Sequence, residues 1–559
     1  MYYIMYILNQ EKWIRLYGKD GETLDRYKTL KLEADFSLGE LLYYLFFGIM
    51  LFSKGMGWYD GMPEYRICLV IGVLCLIIKL LLDKYTLWEC LLIGVFGLLG
   101  IMSWIFSREK GMLTCVMILI GMKGIPIQRV FKVGAVIWGS VFGYRILAFL
   151  MGMQTGIVLV HNKLGLGHIF RWSMGYPHPN VFHISYVILL AFLFYLLRPQ
   201  GKRLLCAVSA AFAGNCFIFL YSVSFTGFIL TVVYLALVVY FTERRRFTRL
   251  EKIGITCVLP VCLICSFALP LIPEGKLFTV LNKLMNTRLQ LSRYFLQNQS
   301  ISLFGQKIVV PDSDLNIDNS FLFALMNYGL IIFILLMLAY FLVIRYMIKN
   351  EEREKLAVTL GFLIAGISEP FLFNTSFKNI TLVFVGGFLL SKAAVPVCIS
   401  KQSEKIGVTT VGKKCVSLCL PITKGEVTGQ NKREKKIRIA MVAGCTAVAV
   451  FAGGIVCANR LEMPKGYICP RSVCDWSEQE SFLLTREEAE QEEEAGMSIP
   501  YYVDEETPMY RFTGNIVRVE YIRSIAGRSF LCGLAGGVAG TAIMLILEQG
   551  RKKRKKYEK

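Results

Sequence analysis

An all-α fold is expected from this sequence: a polytopic transmembrane helical bundle of about 14 spans, with amphipathic helices in an outer loop. Three observations carry that expectation. Of the 559 residues, 55% are hydrophobic and only 18% charged, and the mean hydropathy is +0.52, far too little polar surface for a soluble chain of this size. Apolar runs of about 20 residues recur along most of the length, which is what crossing a hydrocarbon core requires. Lipid offers nothing to free backbone groups, so such runs must be helices rather than open strands.

In chain order, residues 1–36 read as a cytoplasmic N-terminal segment. Its first apolar patch, Tyr2 to Leu8, is too short for a cleavable signal peptide and lacks a small-residue cleavage site. A membrane core follows over 37–397. Its spans are expected at 37–53, 67–83, 86–106, 110–125, 130–152, 180–198, 203–220, 225–242, 253–272, 320–347, 357–373 and 379–397. Its main outer loops are 153–179 and 273–319. A Gly/Thr/Lys-rich cytoplasmic linker covers 398–437. The last unit, 438–559, has spans at 438–458 and 529–548 flanking an acidic outer segment, 459–528, and ends in a basic tail.

Orientation follows from lysine and arginine, which stay on the cytoplasmic side. The basic stretches 201–203, 243–252, 401–438 and 551–559 all fall on one side of an alternating bundle, together with Lys12, Arg15 and Lys19. Both termini are therefore expected in the cytoplasm. The net charge of +21 reads as a topology and anionic-lipid signal. No basic domain interleaved with aromatics is present, so nucleic acid is not an expected partner. The 17 cysteines lie mostly in apolar runs, as at Cys68, Cys75, Cys90 and Cys262, where they act as small hydrophobes. Cys469 and Cys474 are open to either pairing or remaining thiols.

All four histidines, His161, His168, His178 and His183, fall in one inter-span stretch that also holds Arg171. Their spacings of seven, ten and five match no standard metal motif, so no metal and no other cofactor is expected. Prolines on both sides of His178 fix its direction, and Asn180 is placed to cap the next helix. In 273–319, Leu277, Leu281, Leu284, Leu291 and Phe295 form an apolar stripe, and Arg288 falls in register with it. A guanidinium there either snorkels outward or enters a polar cavity. Arg293 lies off the stripe. Asp318 and Asn319 stand at the entrance of the tenth span, where capping and chemistry can coexist. Ser224 belongs to a polar turn, Tyr221 to Gly227, between two spans. Glu369, just ahead of Pro370, is an ionisable group at membrane depth, with Arg145 in the fifth span as an expected partner.

Together these pieces resemble the O-antigen polymerase and ligase superfamily of bacterial surface-polysaccharide enzymes. The matching parts come in order: His178-Pro179-Asn180 entering a span, the Ser222–Gly227 turn, Arg288 to Gly305, Asp318 to Ile331, and Ile367-Ser368-Glu369. The resemblance covers roughly residues 37–397. It implies polymerisation of undecaprenyl-pyrophosphate-linked oligosaccharides into a surface or capsular polysaccharide, at the outer face of the bacterial cytoplasmic membrane. It assigns Arg171, Arg288 and Arg293 to the pyrophosphate, which guanidinium geometry suits. Arg145, Asn180, Asn319 and Ser224 complete the candidate substrate-facing set, and His178, Asp318 and Glu369 are the candidate bases. Ligases of the family carry a histidine where this chain has Asp318-Asn319, so polymerase is favoured over ligase. A flippase and a chain-length regulator are the implied partners. Chain-length regulators also have two spans around an outer domain, but 459–528 is much shorter than theirs. A flippase for lipid-linked sugars is the main competing reading, although no internal repeat is visible. An assembly or sensor role is a third.

Overall fold

The computed structural model describes residues 31–33, 37–154, 156, 158–162, 168–244, 246–285, 287–310, 315–390, 417–419, 429–458, 463–470, 474–475, 483–495 and 509–557. Most of these are helical. The helices are α1 (Leu38–Gly55), α2 (Pro63–Leu82), α3 (Leu87–Ser107), α4 (Gly111–Gly121), α5 (Ile127–Leu150), α6 (Pro179–Leu197), α7 (Lys202–Ser222), α8 (Phe225–Glu243), α9 (Arg249–Phe267), α10 (Lys276–Leu284), α11 (Arg288–Asn298), α12 (Ser320–Lys349), α13 (Arg353–Ala365), α14 (Leu382–Leu389), α15 (Gly429–Ala458), α16 (Arg486–Glu494) and α17 (Asn515–Tyr557). Among the described residues, ten are long and apolar enough to cross a membrane: α1, α2, α3, α5 to α9, α12 and α17.

Local chemistry sets their starts. Ser37 accepts the Glu40 N–H at 3.1 Å to cap α1, and Thr86 with Glu89, like Thr248 with Glu251, forms a reciprocal capping box. Pro179 opens α6 at a position where a missing N–H costs nothing. Along α2 and α3, Ile67, Leu74, Leu81, Leu91 and Leu98 are exposed, as suits side chains facing lipid. The core between helices is aromatic, with Phe131 stacked on Phe384 at 5.0 Å and Phe142 on Phe182 at 5.8 Å.

The departures from expectation are physical. The fourth expected span is a helix of 11 residues and the eleventh is α13 with 13; of the twelfth, α14 with 8 is seen, and 391–397 lie outside the described residues. Between α13 and α14 the polar run Ser368 to Asn379, with Pro370, leaves only a single 3-10 turn at Pro370–Leu372. Irregular backbone at such depth persists only where protein satisfies it. Here the Ser320 N–H donates to Gly366 O at 2.8 Å, and the Ser320 hydroxyl to Glu369 O at 2.6 Å. The stripe in 273–319 forms two short helices, α10 and α11, separated at Thr287, which has a left-handed φ of +66°. In α12, Gly329 (φ +84°) makes a kink into which the chain at Gly305 (φ +96°) packs. A Cβ on Gly329 would lie 2.6 Å from the Leu303 carbonyl carbon. The amides freed by the kink are satisfied, Leu330 donating to Ser302 O at 2.9 Å and Ile331 to Leu303 O at 3.2 Å.

Strands are few: β1 (Lys31–Glu33), β2 (Val158–Asn162), β3 (His168–Trp172), β4 (Ser417–Cys419), β5 (Tyr467–Pro470), β6 (Cys474–Asp475), β7 (Leu483–Leu484) and β8 (Met509–Phe512). β1 pairs antiparallel with β4, which joins the N-terminal segment to the 398–437 linker. Most of that linker lies outside the described residues. β2 and β3 are antiparallel, with β6 parallel to β2, so the C-terminal unit adds a strand to the histidine segment. α15 and α17 form the expected hairpin, packed through glycine: a Cβ on Gly536 would sit 2.7 Å from Val450 Cβ. α17 begins 14 residues before the expected span, at Asn515 rather than 529, and that first part docks on the core. The side chains of His161, His168, Cys469 and Cys474 lie outside the described residues.

Candidate functional site

Span alternation divides the bundle into two ends. The basic turns after α6 and α8, and the turn before α13, share one end, where Arg198 Nε lies 3.8 Å from Glu354 Oε1. β3, the α7–α8 turn, α11, the start of α12 and the segment 366–381 gather at the other. It is there that most of the candidate residues meet.

Arg288 is the hub. It is 7% exposed, and its guanidinium donates from Nε to Asp318 Oδ2 at 3.2 Å, from Nη1 to Thr226 Oγ1 at 2.6 Å, and from Nη2 to Glu369 Oε1 at 3.1 Å. The polar-cavity alternative for the stripe arginine is therefore the one realised. Glu369 stands in extended backbone ahead of Pro370, the conformation a following proline favours. Its carbonyl is held by Ser320, and Oε2 makes no hydrogen bond among the described residues. Burial pushes Glu369 up to about 7, against the pull of Arg288, with Asp318 adding to the rise and Lys378 and Arg171 opposing it. Asp318 is raised as well by its surroundings, but its side chain is 38% exposed and partly screened by water.

Arg171 is held differently. From β3, at 4% exposure, Nε donates to Ser222 O at 3.1 Å and Nη2 to Asn180 Oδ1 at 2.7 Å. Both acceptors are neutral, it makes no ion pair among the described residues, and Nη1 carries no hydrogen bond there. Burial lowers Arg171 to about 10 while Glu369 opposes, so it stays cationic at neutral pH. Arg171 and Arg288 hold the same α7–α8 turn, at Ser222 O and Thr226 Oγ1, and Glu369 joins it through Arg288.

No family model matches this chain. The curated proteins and the solved structures contain no match either. What the site can do therefore rests on its own geometry.

Several candidates have structural positions instead. His178 caps α6, its Nδ1 accepting the Asn180 N–H at 3.0 Å. A neutral ring in that arrangement carries its proton on Nε2 and offers a donor rather than a base. Asn319 caps α12 by accepting from Phe321 N and Leu322 N, and its amide donates to Ser266 Oγ and Ile367 O at 2.8 and 2.9 Å. Ser224 caps α8 through Gly227 N at 3.3 Å. Arg293 ties its own loop, donating to the carbonyls of Pro270 and Ile272 and to Glu274, over the Phe278 ring at 3.7 Å. It stays outside the cluster because those acceptors saturate it. Arg145 does not meet Glu369: it stands 5.8 Å from the Tyr176 ring with Nε buried and unbonded, and Arg288 takes the expected place.

The sequence marked His183 and Ser222 without their partners, and it gave no signal for Glu520 and Arg523. His183, fully buried in α6, hydrogen-bonds Ser222 Oγ at 3.1 Å and Asn215 Oδ1 at 2.7 Å, so Ser222 links it to Arg171. Gly227 leaves room for that ring, since a Cβ there would lie 2.6 Å from His183 Cβ. From α17, Glu520 accepts from Trp172 Nε1 at 3.1 Å, Arg523 Nε donates to Leu220 O at 2.7 Å, and Tyr221 OH donates to Arg523 O at 2.7 Å. The C-terminal hairpin thus backs the strand and the turn that hold Arg171.

Proposed function

We propose that this chain is a metal-independent membrane glycosyltransferase that polymerises undecaprenyl-pyrophosphate-linked oligosaccharides into a surface or capsular polysaccharide. The observation that carries the reading is the pairing of two unlike groups in one cluster. Arg171 is a buried cation held by neutral acceptors with a donor to spare, and Glu369 is a buried carboxylate with an unbonded oxygen. A guanidinium in that state grips phosphate oxygens and stabilises a departing pyrophosphate. A carboxylate near pKa 7 accepts a proton at the working pH.

The step balances with these two. The acceptor hydroxyl oxygen bonds to the anomeric carbon, the anomeric carbon–phosphate oxygen bond breaks, and the electron pair leaves on pyrophosphate against Arg171. The hydroxyl proton passes to Glu369 Oε2. Arg288 orients Glu369 and Asp318 rather than meeting the carrier first, because carboxylates already occupy it. The basic loops at the opposite end support a site on the outer face of a bacterial cytoplasmic membrane, with both termini inside. A flippase would supply its substrate and a chain-length regulator would limit its product.

The test compares lipid-linked glycans in a strain lacking the protein, complemented by wild type or by Glu369→Gln. Single repeat units accumulating on the outer face in both the deletion and the variant support polymerisation. Accumulation on the inner face refutes it in favour of transport across the membrane.

A further inference from the structure

Arg145 has no use in the reaction just described, although it is a buried cation. It stands five residues before the end of α5, about 8 Å below that end of the bundle, and is 6% exposed. It makes no hydrogen bond or ion pair among the described residues, and its Nε is buried without an acceptor. The Tyr176 ring, 5.8 Å from the guanidinium carbon, offers a weak cation–π contact but no acceptor for five N–H donors. Two glycines from other elements close on this guanidinium. Gly175, four residues past Arg171, has φ +81°, and a Cβ on it would lie 2.7 Å from Arg145 Nη1 and 2.5 Å from Gln154 Nε2. Gly57, two residues past α1, has φ +72°, and a Cβ there would lie 3.1 Å from Arg145 Nη2 and 3.2 Å from Gly175 O. Arg145 and Gln154 thus converge on Gly175, their nitrogens no farther apart than the sum of those first two distances. Gln154 makes no hydrogen bond among the described residues either.

A guanidinium out of water with no counter-charge is costly, and an ionisable group at membrane depth marks a functional site. Here the fold brings an amide donor to the same spot and holds it open with glycines. We propose that Arg145 and Gln154 form a carboxylate-binding subsite whose ligand is an acidic sugar of the lipid-linked oligosaccharide. The planar fork of one guanidinium matches the two oxygens of one carboxylate. A single positive charge balances a single negative one, whereas a pyrophosphate brings several. The Gln154 amide is a neutral donor, suited to a sugar hydroxyl beside the carboxylate. The carboxylate half of the proposal stands on the surroundings of Arg145, and the sugar half rests on the polymerase reading.

The experiment is thermal unfolding of the full-length protein in nanodiscs, with glucuronate, glucose or acetate added. A ligand that binds the folded state alone raises the melting temperature, so wild type should melt higher in glucuronate, less so in acetate, and unchanged in glucose. R145M should lose the glucuronate shift. Without ligand it should melt at or near wild type, because it replaces an unpaired buried charge by an apolar chain. R145K keeps the charge without the fork and should weaken glucuronate binding by about tenfold. A full shift in R145M, or an equal shift with glucose, would overturn the subsite. If R145M melts well below wild type, R145K decides, and a full glucuronate shift there overturns the subsite as well. Acetate acting as strongly as glucuronate would keep the carboxylate site and overturn the sugar assignment. E369Q should keep the whole glucuronate shift, so the two readings fail separately. An Arg145-dependent shift in a protein that does not polymerise glycans keeps the subsite and sinks the polymerase.

Discussion

Replacing Arg288 by methionine strips Glu369 of its only ion-pair partner among the described residues, and the consequence depends on pH in a way that can be worked out. Burial pushes Glu369 from the ordinary 4.5 up to about 7, so wild-type stability falls as pH rises from about 4.5 to 7 and is flat above. Without Arg288 the carboxyl climbs further, and the folded variant keeps its proton above pH 7 while the unfolded chain does not. The stability gap between wild type and R288M therefore opens above pH 7 towards a slope of about 1.4 kcal/mol per pH unit. By pH 9 its pH-dependent part is on the order of 3 kcal/mol. Loss of the Thr226 and Asp318 contacts adds a further offset. Unfolding in mixed detergent–SDS micelles across pH 6–9, comparing R288M with R288M/E369Q, measures it. The double variant lacks the titrating carboxyl, so above about pH 8, where wild type is flat, it should show no slope relative to wild type. A gap that stays constant from pH 7 to 9 in R288M would refute the view that Arg288 holds the Glu369 charge.

Glu369→Gln keeps a side chain that Arg288 can still donate to, but removes the proton acceptor, and polymerisation should fall by about 10²–10⁴-fold while carrier binding is retained. Wild-type turnover should rise with pH through about 7, as Glu369 loses its proton beside Arg288, Asp318, Lys378 and Arg171; a profile flat from pH 6 to 8 would remove Glu369 as the base. Arg171→Lys cannot reach Ser222 O, Asn180 and a ligand with one planar fork, so pyrophosphate binding should weaken by about tenfold, measured in nanodiscs. Trp172→Phe leaves one face of buried Glu520 unmet, and should destabilise by about 1–3 kcal/mol, seen as a lowered melting temperature.

The bundle was legible because apolar length is a local property, and spans such as α6, α8 and α12 start within a few residues of expectation. The short helices were not. Residues 357–373 and 379–397 are apolar enough to span, but Ser320 and Asn319 satisfy a broken backbone from another part of the chain, and no local pattern encodes that. The histidine segment and the proposed site share Arg171 rather than an imidazole. His178 and His183 hold structure, while Arg171 among them meets the requirements of a binding group. Arg288 was readable because a charge interrupts an apolar period. Lys378 was not: a lysine beside an asparagine looks like a surface turn, and only the packing of Phe377 on α1 buries it. Arg145 was assigned to Glu369 on depth alone, and depth does not say which side of a helix meets which.

The docking of α17 on β3 also sets an order in time. Trp172 and Arg523 are separated by 351 residues of chain, from 172 to 523. At roughly 5–20 residues per second, synthesis needs on the order of 20–70 s to supply the second after the first. Throughout that interval the strand carrying Arg171 lacks the support of Glu520, and the Ser222 turn lacks that of Arg523. A nascent chain is therefore a bundle whose Arg171 end is unbraced, and a protein halted anywhere before residue 515 stays so. A helix made late in synthesis is thus the one that braces the strand carrying Arg171.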